Sequence, residues 1–139
     1  MNTRPQITVW TDGAAKGNPG PAGWAVLKDG ELISDWIGHA TNNFAELFAI
    51  LQALEACPPS SEVHVHTDSK LAIGLLSGWR TEHAHLASLV KAIRVTADCK
   101  DQKLVLHKTR GHSGIAENEM VDRAAAMQAA LYANSIGWS

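Results

Sequence analysis

The sequence predicts an α/β domain in which a five-stranded mixed sheet is flanked by helices. Two observations carry this. Three short segments with strand-like alternation, joined by turn residues, occupy the first 40 positions, and strand-like and helix-like periodicities then alternate to the C-terminus. A meander followed by strand, helix and strand requires parallel crossovers, so strands one to three are expected to be antiparallel and strands four and five parallel.

In the first strand Ile7, Val9 and Thr11 alternate with Thr8, Trp10 and Asp12, and the strand is expected to end at Asp12. The segment "TDGAAKGNPG" then reads as a glycine-rich loop. "AGWAVLK" and "ELISDWIG" are the second and third strands, joined by the hairpin-favouring pair Asp29-Gly30. "NNFAELFAILQALEAC" sets Phe44, Leu47, Phe48 and Leu51 on one helical face, and Pro58-Pro59 ends it. "EVHVHTD" is a fourth strand and "SKLAIGLLSGW" a short helix. "HLASLVKAIRVTA" is a longer helix with Leu86, Leu89, Val90 and Ile93 on one side. "KLVLHK" is the fifth strand, and an alanine-rich helix is expected over Glu117 to Leu131.

A chain of 139 residues with 45% hydrophobic and 19% charged residues suits one soluble domain, 1–139. The net charge of −2 offers no basic surplus, which weighs mildly against a nucleic-acid partner. Cys57 and Cys99 form no C-x-x-C pair, so neither a disulfide framework nor a structural zinc site is suggested. No apolar run is long enough to cross a bilayer and no leader-like start is evident, so a cytoplasmic, soluble protein is expected, and a monomer is the default because nothing marks a large exposed apolar stripe.

Four carboxylates stand at element ends on this frame. Asp12 and Asp68 end the first and fourth strands, Glu46 is expected in the first turn of the first helix, and Asp122 lies early in the last. Sites in open α/β sheets form where parallel strands finish, so neighbouring strands one and four would bring Asp12 and Asp68 together. Each acid has an ordinary alternative. Asp12-Gly13 is a common turn pair, Asp68 could cap the following helix, Asn43 with Glu46 could form a capping box, and Asp122 could be solvated. His64, His66 and Asp68 share a strand face at a spacing zinc could use, although packed or hydrogen-bonded histidines are the commoner outcome.

Four stretches, "TDGAAKGNPGPAGWAVL", "TNNFAELFAILQALE", "HTDSKLAIGLLSGW" and "TRGHSGIAENEMVDRAA", resemble in order the signature segments of type 1 ribonuclease H, across nearly the whole chain. The resemblance implies a ribonuclease H-like fold and cleavage of the RNA strand of RNA/DNA hybrids, leaving 5′-phosphate and 3′-hydroxyl ends. It implies that Asp12, Glu46, Asp68 and Asp122 bind two Mg²⁺ ions, with Mn²⁺ as a substitute, and that Glu119 lies near the second. Hard cations prefer such oxygen ligands, and two of them can activate a water and stabilise a departing oxygen. His112, between glycines in "RGHSG", is implied to assist proton transfer and product departure, so that His112→Ala slows turnover without abolishing it.

For substrate binding the resemblance implies Asn18, Asn42 and Asn43 near the minor groove, where 2′-hydroxyls mark the RNA strand. Thr41 would hold a DNA phosphate, Trp79 would pack on DNA sugars, and Asn118 is a further position of this kind. Local capping by the amides and burial of Trp79 at a helix end are the ordinary alternatives. Two departures stand out. Lys70 occupies a position where many members have Gln, and "GWRTEHAH" passes to the next helix without the basic helix and loop many bacterial members insert there. Weak, salt-sensitive binding or dependence on an accessory protein is therefore expected. A catalytically silent, hybrid-binding module of the same fold is the alternative, disfavoured because all four acids are present.

Overall fold

The computed structural model describes residues 3–110 and 115–138. β1 (Gln6–Ala15), β2 (Gly20–Lys28) and β3 (Glu31–Ala40) form the antiparallel meander. Asp29 and Gly30 both adopt positive φ between β2 and β3, as a tight hairpin turn demands. β1 runs three residues beyond Asp12, because Gly13, Ala14 and Ala15 each pair with β2 at Trp24, Gly23 and Ala22. Ladder pairing overrides the poor intrinsic strand preference of those small residues.

On its other side β1 pairs in parallel with β4 (Glu62–Thr67), and that pairing stops at Trp10↔His66. β5 (Lys103–Lys108) pairs in parallel with β4, completing the order β3-β2-β1-β4-β5. Asp12 therefore stands just past the end of the parallel ladder while still gripped by β2.

α1 (Asn42–Ala56) is capped by Thr41, whose Oγ1 accepts the Phe44 N–H at 3.1 Å. The alternative Asn43–Glu46 capping box is not what starts the helix, and Glu46, expected in the first turn, falls one turn further along. The buried set is Leu47, Ile50 and Leu54 with Ala45, Ala49 and Ala53, while Phe44, Phe48 and Leu51 are only partly covered. The arc is wider than the single stripe expected because α1 lies between the sheet and α3 (Ala84–Cys99). Leu86, Leu89, Val90 and Ile93 of α3 are all buried, as their spacing predicts.

α2 (Lys70–Leu76) begins at Ser69, whose Oγ accepts the Ala72 N–H at 3.0 Å, so Ser69 rather than Asp68 is the cap. α4 (Ala116–Ser135) crosses β1, β2 and β3. Alternation along β2 sends Val26 into the core under α1 and α3 and Ala25 and Leu27 toward Val121 and Ala125 of α4, so the sheet is covered on both faces. Among the described residues no helix is long and apolar enough to cross a membrane.

A candidate carboxylate metal centre

Gly13 is the structural key to the acids. A Cβ there would lie 2.2 Å from the carbonyl carbon of Ala45, so the backbone of α1 rests directly on β1. That contact brings Glu46 to Asp12. The Gly13 N–H donates to Asp12 Oδ1 at 2.9 Å and stands 3.4 Å from Glu46 Oε1. Asp68 follows β4 directly, and the register Trp10↔His66 carries it to the same end of the sheet as Asp12.

Asp12, Glu46 and Asp68 each offer a carboxylate oxygen within 4.8 Å of the others. Asp122, in the second turn of α4, lies close enough to Asp12 to share a hydrogen bond with it and to repel it when both are charged. Glu119 sits in the first turn of α4, partly buried, and is not one of the three converging carboxylates.

Burial pushes the Asp12 carboxyl up to about 7, with the charges of Asp68 and Asp122 adding to the rise and a hydrogen bond with Glu46 opposing it. Glu46 is held well above the usual carboxylate range, first by burial and then by Asp12. The two can bond to each other only while one keeps a proton. With both ionised, the buried Glu46 Oε2 has no hydrogen-bond donor. An oxygen-only, charge-crowded set of this kind fits a hard divalent cation.

Around the acids lie the residues expected to meet substrate. Asn18 Oδ1 accepts the Asn42 N–H at 2.9 Å, and Asn42 Oδ1 accepts the Ala15 N–H at 2.8 Å, tying the β1–β2 loop to the start of α1. Thr41 serves as the cap by accepting the Phe44 N–H, which leaves its O–H to donate, and Asn43 is exposed beside it. Lys70 and Trp79 line one groove of about 410 Å³ with Ile73, Gly74, Ser77 and Lys108. The Trp79 ring lies on Gly74, where a Cβ would come within 2.1 Å of Cε3, yet Trp79 keeps 53% of its surface exposed. Asn118 faces inward instead: it is buried, accepts from Thr109 Oγ1 at 3.2 Å and reaches the Arg110 carbonyl at 3.4 Å. Its amide is committed to joining the end of β5 to α4. His112 lies outside the described residues.

The histidine alternative resolves into a packed column. His107 of β5, which sequence spacing could not place, lies beside the β4 pair: His64 Nδ1 is 2.8 Å from His107 Nε2, and His64 Nε2 is 2.7 Å from Glu62 Oε2. His66 stacks between Trp10 and His107 at 4.8 and 4.6 Å. Burial, then the neighbouring His107 and His64, lowers the His66 pKa. Stacked rings do not converge on one cation, and among the described residues only the three acids do.

The residue that sequence reading undervalued is Gly13. In "TDG" it passes as turn chemistry, and only the packing of Ala45 against it shows that any side chain would separate Asp12 from Glu46. A glycine directly after an aspartate at the end of a strand was the available signal.

A family model described as RNase H matches residues 4–130, a span that contains all four acids. The chain belongs to the RNase H family. It is 37% identical to the ribonuclease H of Bradyrhizobium sp. (strain ORS 278), with 90% of each chain covered. Among solved structures, the N-terminal RNase H domain of a Mycobacterium tuberculosis protein is similar at a TM-score of 0.80 and 26% identity, covering 95% of this chain and 99% of that one. LC11-RNase H1, solved in complex with an RNA/DNA hybrid, is similar at a TM-score of 0.75 and 28% identity, covering 87% and 97%.

Proposed function

We propose that this RNase H chain is an endoribonuclease that hydrolyses the RNA strand of RNA/DNA hybrids, leaving 5′-phosphate and 3′-hydroxyl ends. The observation that carries the reading is the convergence of Asp12, Glu46 and Asp68 on one point, with a buried Glu46 oxygen left without a donor. Family membership and the hybrid bound to a similar RNase H supply the substrate class.

Asp12, Glu46, Asp68 and Asp122 would hold two Mg²⁺ or Mn²⁺ ions, with Glu119 near the second. Bound there, the cations supply Lewis acidity toward the scissile phosphate and a more acidic water. The chain's own groups do the rest. Rigid elements fix the acids: Asp12 is gripped by β2, Asp68 by the end of β4, and Glu46 by the Gly13–Ala45 contact. His112 takes part in proton transfer and product departure. Asn18, Asn42 and Asn43 read the minor groove, Thr41 and Lys70 hold phosphates, and Trp79 offers its exposed face to the DNA strand. Asn118 acts indirectly, by anchoring the segment that leads to His112.

The protein acts as one domain over 1–139, as a cytoplasmic monomer. Between Trp79 and α3 only Arg80 adds a fixed positive charge, so an accessory protein is the natural source of extra affinity.

The test is cleavage of an end-labelled RNA/DNA hybrid with Mg²⁺ and with Mn²⁺, beside Asp68→Asn, duplex DNA and duplex RNA. The parent should cut only the RNA of the hybrid, and Asp68→Asn should not cut. Binding without cleavage by the parent would replace this reading with that of a silent hybrid-binding module.

A further inference from the structure

The last turn of α4 ends in a way that sends one aromatic ring onto the loop that carries Asn18. Gly137, at φ +68, turns its N–H to the Asn134 carbonyl, and the Trp138 N–H bonds the Ala133 carbonyl at 2.9 Å. This paired closure is the Schellman pattern, and it reverses the chain at Gly137. Trp138 then lies over the β1–β2 loop. Its Cζ2 stands 3.2 Å from where a Cβ of Gly17 would be and 3.4 Å from that of Gly20. The His39 ring of β3 is 6.0 Å away on its other flank.

The same loop is closed by the Lys16 N–H to the Pro21 carbonyl at 2.8 Å and braced from the α1 side by Asn18 and Asn42. It is thus held from two directions, by an amide at the start of α1 and by an indole from the far end of α4. A segment with glycines at 17 and 20 is costly to order, and any ordering left to the moment of binding is subtracted from affinity.

We propose that Trp138 is a positioning residue for hybrid binding. Its ring presses on the Gly17 and Gly20 backbone, keeps Asn18 bonded to Asn42, and so presents the Asn18 amide nitrogen in one orientation to the minor groove. This rests on the hybrid-cleaving reading above. Trp138 touches neither the acids nor the scissile phosphate, so its contribution falls on binding and leaves the chemical step alone.

The experiment is steady-state hybrid cleavage by Trp138→Ala, Trp138→Phe and Gly137→Ala, with amide hydrogen exchange in the free protein at Lys16 and Asn42, whose N–H groups bond the Pro21 carbonyl and Asn18 Oδ1. Trp138→Ala should raise KM roughly fivefold with kcat unchanged, the scale of one lost aromatic contact. Trp138→Phe should restore most of the affinity, and Gly137→Ala should shift KM in the direction of Trp138→Ala. Exchange at Lys16 and Asn42 should quicken in Trp138→Ala. A lower melting temperature with KM unchanged, or a fall in kcat with KM unchanged, would overturn the proposal and leave Trp138 a structural residue. If the parent fails to cleave hybrids, the parent reading falls by itself, and exchange still decides the clamp: unaltered protection at Lys16 and Asn42 in Trp138→Ala refutes it.

Discussion

Gly13 and Ala45 touch backbone to backbone, 2.2 Å being all that a Cβ on Gly13 would have before meeting the Ala45 carbonyl carbon. The contact sets the distance from Asp12, the residue before Gly13, to Glu46, the residue after Ala45. Gly13→Ala should cost roughly 1–3 kcal/mol in stability, read by urea unfolding, because α1 must lift off β1. Cleavage should fall ~100-fold, as misplacement of about an ångström does to positioned groups. Retention of full activity would show that the acids tolerate a wider spacing.

Asp12 gives the metal-free protein a definite pH dependence. Its folded pKa, about 7, lies above the ordinary 3.8, so between these values the folded chain holds a proton that the unfolded chain has released. The stabilisation is complete below the lower value and is lost as pH rises through the upper. The melting temperature of Asp12→Asn minus that of the parent, both in EDTA, should grow across that window, and saturating Mg²⁺ should close the gap at its upper end. A gap independent of pH contradicts the assignment.

Glu46→Gln separates stability from activity. In EDTA, at a pH high enough to ionise both Asp12 and Glu46, it should stabilise the fold by ~1 kcal/mol or more, because a neutral amide removes a buried, crowded charge. The same variant should lose cleavage and show no rise in melting temperature with Mg²⁺, measured by differential scanning fluorimetry. A stabilising response to Mg²⁺ equal to the parent's would place the cations elsewhere.

Gly74→Ala tests the Trp79 platform. The new methyl would stand 2.1 Å from Trp79 Cε3 and force the ring off α2. KM for the hybrid should rise roughly fivefold, in keeping with the loss of one stacked sugar or base. Unchanged KM would mean that Trp79 is only a helix-end anchor.

Salt should control affinity. With a net charge of −2 the chain depends on a few local cations, and log K should fall with log salt at a slope of about −0.9 for each phosphate neutralised. Lys70→Gln should flatten that slope by about one if Lys70 holds a phosphate. Tight hybrid binding insensitive to salt contradicts the whole electrostatic reading.

The sequence by itself determined the order of elements, the antiparallel meander followed by parallel strands, the buried side of α3 and the placing of Asp12 and Asp68 at the same end of neighbouring parallel strands. Period-two and period-3.6 patterns record which side of an element is buried, and charged groups at element ends stay visible when the apolar pattern stops. Other features depended on partners distant in the chain. β1 continues past Asp12 because β2 lies beside it, α1 buries a wider arc because α3 covers its back, and Thr41 rather than the alternative Asn43 caps α1. His107 meets His64 only through the β4–β5 register, and Asn118 turns inward because Thr109 and Arg110 end beside it. The Gly13–Ala45 contact and the Trp138–Gly17 contact belong to the same class: each is a close approach between segments far apart in the chain. Local periodicity carries no term for such a distance, so packing in three dimensions decided both.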